Sequence, residues 1–280
     1  MKMNNKEVAK LATKALLYEV SISPKAGLVS RLSNGSHKDM NFYTFIDSAL
    51  SLDNYFSECF IYGQENDFYS PSFFKNLRDL GKKAEKEMYQ ATDGINTHKG
   101  TIFSMGIIIS VLASYLKEVD KIDLKILSEK IKTMCIPLLE ELENTNSFST
   151  YGEKAFKNYH LTGARGLALS GYDIVFLDGI NKLKEFTKLL DFETSCILLL
   201  FYYISMLDDT NIVNRANFEI LKEIQILCKN LYEENSKSLS KEKIRDEMSK
   251  LNDIFIEKNI SAGGSADLLI LTIFVYILNI

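Results

Sequence analysis

Apolar residues recur at helical spacing along most of the chain. Val8, Leu11, Ala12, Ala15 and Leu16 fall at i, i+3, i+4, i+7 and i+8, which predicts an amphipathic helix. Phe42, Phe45, Ile46, Ala49 and Leu50 repeat that spacing. Ser70-Pro71 predicts an N-cap followed by proline at the first helical position, ahead of a stripe through Phe73, Leu77, Leu80, Ala84 and Met88. Ile244, Met248, Leu251 and Phe255 form another stripe, with Ser240 placed as its cap. A further helix is expected between Ile122 and Glu143, kinked or ended by Pro137. Three runs, Ile102 to Leu116, Cys196 to Leu207 and Leu268 to Leu278, are almost wholly apolar. All are shorter than the ~18 to 20 residues that span a bilayer, so they predict helices buried on every side at the centre of a core. Ile174-Val175-Phe176-Leu177 is the one β-like run, and a helix explains it equally well. The expectation is an all-α protein, a single multi-helix domain over 1–280.

Composition adds limits to that picture. Hydrophobic residues make up 46% and charged residues 25% of the 280, the balance of a globular protein with a sizeable core. The formal charge of −4 offers no basic surplus for nucleic acid. Cys59, Cys135, Cys196 and Cys228 lie far apart, without metal-ligand spacing, and read as reduced, buried thiols. The first residues carry no apolar signal segment. A soluble, cytoplasmic protein with no membrane partner is expected. The oligomeric state is open, a homodimer included.

Glycines and polar residues cluster between the helices, where chemistry tends to sit. In Asn96-Thr97-His98-Lys99-Gly100, a helix N-terminus and the Lys99 charge would suit a phosphate; a plain N-cap by Asn96 or Thr97 is the competing reading. Asp208 and Asp209, with Asn211, end an apolar helix, where acids oppose the dipole. They suit magnesium, or else Asp209 simply caps the next helix. Gly263-Gly264-Ser265 reads as a turn into a helix capped by Ser265, with an anion site as the alternative. Arg165, between Gly163 and Gly166, either clamps a phosphate or is a solvated loop arginine. His37-Lys38-Asp39 superficially matches metal-dependent phosphohydrolases, without their partner histidines.

In this order, Ser23-Pro24-Lys25, Gly35-Ser36-His37-Lys38-Asp39-Met40, Asn96-Thr97-His98-Lys99-Gly100, Gly163-Ala164-Arg165-Gly166, Asp209-Thr210-Asn211 and Gly263-Gly264-Ser265-Ala266-Asp267 resemble the triphosphoribosyl-dephospho-CoA synthase family. That family serves citrate lyase and, in a sister branch, malonate decarboxylase. The resemblance implies a transferase that moves the 5-triphosphoribosyl group of ATP to the 2′-hydroxyl of 3′-dephospho-CoA and releases adenine. It implies magnesium and basic residues around a triphosphate: Lys25, Arg31, Lys38, Lys99, Arg165 and Arg215. His37, Asn96, Thr97, Asn211, Gly263, Gly264 and Ser265 join them as substrate contacts. Asp39, Asp208 and Asp209 are the metal candidates. Asp209 or Glu87 would accept the 2′-hydroxyl proton, and His98 would help adenine leave. Ser30 and Leu167 stand where the family carries acids. A nucleotide-binding relative without turnover and a helical interaction protein are the alternatives.

Overall fold

Short polar side chains set many of the helix starts. Asn4 accepts the Glu7 amide while Glu7 reaches back to the Asn4 amide, which opens α1 (Asn5–Ser21) with two first-turn donors satisfied reciprocally. Asn41 and Thr44 make the same box for α2 (Phe42–Ser51). Then come α3 (Asp53–Glu65), α4 (Phe73–Ala91), α5 (Lys99–Tyr115) and α6 (Leu124–Cys135), the last capped by Asp123. The second half holds α7 (Gly163–Leu169), a π-helical turn at Ile174–Gly179, α8 (Ile180–Phe186) and α9 (Phe192–Met206). It continues with α10 (Thr210–Arg215), α11 (Phe218–Ser238), α12 (Lys241–Glu257) and α13 (Gly263–Leu278). This computed structural model describes residues 3–139, 156 and 158–279, and no β-strand occurs among them. The all-α expectation is met.

The three apolar runs are α5, α9 and α13, and all three are buried nearly throughout. A helix that is apolar all round needs neighbours on every side. α5 has them in α3, α4, α6, α7 and α13, while α9 is enclosed by α8, α11, α12 and α13. α13 touches both groups and packs on α1 as well, so it joins the two halves. Hydroxyls inside this core return to carbonyls: Tyr55 Oη donates to Ile102 O at 2.9 Å, and Thr272 Oγ1 to Leu268 O at 2.8 Å. The four cysteines are free and buried, and burial pushes their thiols up. They behave as apolar filling.

Some local expectations needed correction. α4 starts at Phe73, two residues beyond Pro71, because Ser70 and Pro71 lie in a turn closed by the Phe73 amide on Ser70 O at 2.9 Å. Ser265 does not cap α13; it sits inside the first turn. The run at 174–177 is π-helical. Leu50 ends its stripe exposed. α6 stops at Cys135, a turn at Ile136 follows, and helix resumes over 137–139, so the expected helix is interrupted at Pro137; 140 to Glu143 lies outside the described residues.

Candidate functional site

The chain leaves α9 in extended conformation at Leu207 and Asp209, which carries the Asp209 side chain to the start of α13. Its Oδ1 accepts the Asn211 amide at 2.9 Å and the Asn211 side-chain nitrogen at 3.0 Å. Its Oδ2 accepts the Ser265 amide at 3.1 Å. One carboxylate therefore caps two helices, α10 locally and α13 from a distant stretch of chain. Gly264 permits this approach, because a Cβ there would stand 3.1 Å from Asp209 Oδ2 and 3.0 Å from Leu207 Cδ2. Burial outweighs these donors and pushes the Asp209 carboxyl above its usual range.

Half a turn further along α13 sits Asp267. Its Oδ1 accepts the Thr101 hydroxyl of α5, which ties the two helix starts together. Its other oxygen fills the space a side chain at residue 100 would need, so Gly100 lets α5 and α13 meet. Burial pushes the Asp267 carboxyl up to about 7; the Thr101 bond opposes this, and the nearby Asp209 and Glu19 charges add to it. A carboxyl titrating near neutrality is suited to proton transfer.

Glu19 and Lys25 form a buried ion pair, and Lys25 Nζ also reaches the Glu19 carbonyl at 2.9 Å. The Lys25 charge acts on His98, whose ring burial and that charge together hold well below the ordinary range, at about 3. His98 is thus neutral across the physiological range. Its Nδ1 meets Ser48 Oγ at 2.7 Å, and Ser48 Oγ meets Thr97 Oγ1 at 2.6 Å. The Phe45 ring lies edge-on at 5.0 Å. His98 Nε2 and Ser265 Oγ are buried with no hydrogen-bond partner among the described residues. Buried polar atoms are seldom left so in native proteins, and a ligand would supply what they lack.

The candidate cations come from several segments of the chain. Arg31 pairs with Glu193 at 3.0 Å, and Lys99 with Glu85 at 2.9 Å. Glu85 lines a groove of about 520 Å³ on α4. Arg215 donates to Ser36 O and to His37 Nδ1, both at 3.1 Å. Lys38 is exposed. Arg165 is half-buried in α7, whose first residue, Gly163, borders Thr210. Gly263 borders Asn211. Asn96 takes the Lys99 amide at 3.4 Å, a capping contact. Glu87 is half-buried on α4.

Two groups of candidates are placed differently from the expectation. Lys25 is inside the protein, neutralised by Glu19. Asp39, Asp208 and Asp209 do not converge. Asp208 is exposed and bonded to Lys222 at 2.8 Å and Gln225 at 3.1 Å. Asp39 is exposed beside His37. Asp209 already accepts from three N–H groups. Among the described residues no group of three or more histidine, cysteine, aspartate or glutamate side chains is arranged to hold a metal. Magnesium needs fewer protein ligands than that, one or two carboxylates with substrate phosphates and water.

Ser30 is buried against Ser23 and Ser33, and Leu167 packs on the main core. The acid positions closest to the site are instead Asp267 and Glu19, neither of which was singled out from sequence. Both carried a signal. Glu19 continues the buried stripe of Ala12, Ala15 and Leu16, and Asp267 is the lone acid of an apolar helix.

The ATP:dephospho-CoA triphosphoribosyl transferase family model matches residues 5–280. A Streptococcus equi protein is 35% identical over 282 residues, covering 96% of this chain and 95% of its own. A Streptococcus pyogenes protein is 37% identical over 284 residues, covering 95% of each. Both carry the name "Probable 2-(5''-triphosphoribosyl)-3'-dephosphocoenzyme-A synthase". No solved structure gives a significant match. A full-length family match, with relatives above a third identical along the whole chain, places this enzyme in the ATP:dephospho-CoA triphosphoribosyl transferase family.

Proposed function

We propose that this chain transfers the 5-triphosphoribosyl group of ATP to the 2′-hydroxyl of 3′-dephospho-CoA and releases adenine. The observation that carries the reading is the Asp267 carboxyl, held near neutrality where the starts of α5 and α13 meet. In the reaction the bond from the ribose anomeric carbon to adenine breaks, its electron pair leaves with the base, and the base takes up one proton from water to become neutral adenine. The 2′-oxygen bonds to the same carbon, and its proton passes to Asp267 as general base. Positive charge builds on the ribose ring, as in glycoside hydrolysis. The half-buried Asp267 and the buried Asp209 favour that charge, since electrostatic stabilisation acts strongly in a site shielded from water.

Neutral His98 has its Nε2 open to a hydrogen bond. It can steady the departing base but is not charged at neutral pH to deliver a proton as an imidazolium. The candidate cations Arg31, Lys38, Lys99, Arg165 and Arg215 receive the phosphates. Magnesium then enters with the triphosphate, as part of the substrate.

The test is to incubate the protein with ATP, magnesium and 3′-dephospho-CoA and to follow free adenine. Adenine release that depends on dephospho-CoA supports the proposal. ATP binding without adenine release would instead support a relative that binds nucleotide without turnover.

A further inference from the structure

Arg215, the last residue of α10, is anchored differently from Arg31, Lys99 and Lys25. Those three each rest on a carboxylate. The bonded partners of Arg215 among the described residues are the Ser36 carbonyl and His37 Nδ1, both neutral acceptors. Its charge is oriented without being cancelled.

The orientation comes from a chain of bonds whose direction is fixed. Arginine only donates, so His37 Nδ1 must offer a lone pair. In the neutral ring the proton is then on Nε2, which faces Ser261 Oγ at 3.1 Å and donates to it. Ser36 is itself held, its hydroxyl donating to Phe255 O at 3.0 Å and its amide to Gly27 O at 3.2 Å. Three segments thus support one guanidinium: the loop after α1, the end of α12 and the turn that enters α13. Asp39 is the nearby acid, 3.8 Å from His37 Nδ1 and exposed. Two of the five donors of Arg215 are used, and the residue is exposed. A planar cation with spare donors and a fixed plane matches two oxygens of one phosphate.

We propose that His37 is a positioning residue that holds the Arg215 guanidinium as a binding group for a polyphosphate chain. This rests on the transferase reading for the source of that chain, the triphosphate of ATP or the diphosphate of dephospho-CoA.

Calorimetry with inorganic tripolyphosphate on the full-length protein tests the binding role apart from turnover. Arg215→Ala and His37→Leu should each weaken tripolyphosphate by about tenfold or more, the scale for a hydrogen bond to a charged group. His37→Asn, which keeps an acceptor oxygen close to where Nδ1 stood, should recover most of that loss. Ser261→Ala should sit between wild type and His37→Leu. In turnover, KM should rise for ATP if Arg215 serves the triphosphate, or for dephospho-CoA if it serves the diphosphate, with kcat changed far less. Arg215→Lys, which keeps the charge on an exposed side chain but loses the fork, should also bind more weakly and does not depend on any core change. Wild-type affinity in His37→Leu, no recovery in His37→Asn, or no tripolyphosphate binding by wild type would overturn the proposal. Wild-type protein that shows this variant pattern but releases no adenine would support the phosphate site and count against the transferase reading.

Discussion

A carboxyl group placed early in an apolar helix makes stability depend on pH. Asp267 ionises near pH 7 in the folded protein, against an ordinary value of 3.8. Below about pH 4 it is neutral whether the chain is folded or not. As pH rises from there to about 7, the unfolded chain ionises first, and the folded state loses stability by linkage. Asp267→Asn removes that penalty. The variant should be more stable than wild type at pH 8 by ~1 to 3 kcal/mol, discounted for partial solvent access, with no gain at pH 4. Thermal melts at the two pH values check this. The same variant should lose at least ~10²-fold in adenine release, the lower end for a missing general base. Greater stability with less activity is what a functional acid predicts, and a merely structural one would not show it. At this scale the sequence was only partly legible. Asp267 stood in a segment that was singled out, yet its partner Thr101 lies 166 residues away, and that separation hides the contact that gives it a role.

At the scale of elements, the stripes and caps located the helices well. Ser240 caps α12 as expected, through the Lys243 amide. What local pattern does not reveal is a cap supplied from another part of the chain. Ser265 looks like an N-cap because it follows two glycines, but its amide is satisfied by Asp209, 56 residues earlier. The two readings of Asp209, cap and chemical group, were open in the sequence, and the geometry makes the cap concrete at both α10 and α13. Asp209→Ala should therefore destabilise the fold by ~1 to 3 kcal/mol, because it leaves buried amides without an acceptor. Asp209→Asn should lose less, since one oxygen remains while the new amide faces donors on the other side. Chemical denaturation of the two variants against wild type measures the difference.

For the molecule as a whole, α5, α9 and α13 form the core that their apolar runs predict, and no described helix is long and apolar enough to cross a membrane. The site was harder to read, because it is made where helices from both halves begin, and only packing brings Thr101, Asp209, Ser265 and Asp267 together. Lys25 shows the same limit: as a loop lysine in a motif it reads as a phosphate ligand, yet the fold encloses it with Glu19. The account's central claim is that this packing makes Asp267 the base for triphosphoribosyl transfer. The pH dependence of adenine release, measured for wild type and Asp267→Asn, tests it most directly. Wild-type kcat/KM should rise about tenfold per pH unit below the Asp267 value of about 7 and level off above it, and the variant should be slow without that rise. A wild-type profile that is flat from pH 5.5 to 8, in these ~2.5 units where a base of this kind must ionise, or a variant with wild-type turnover, would contradict it.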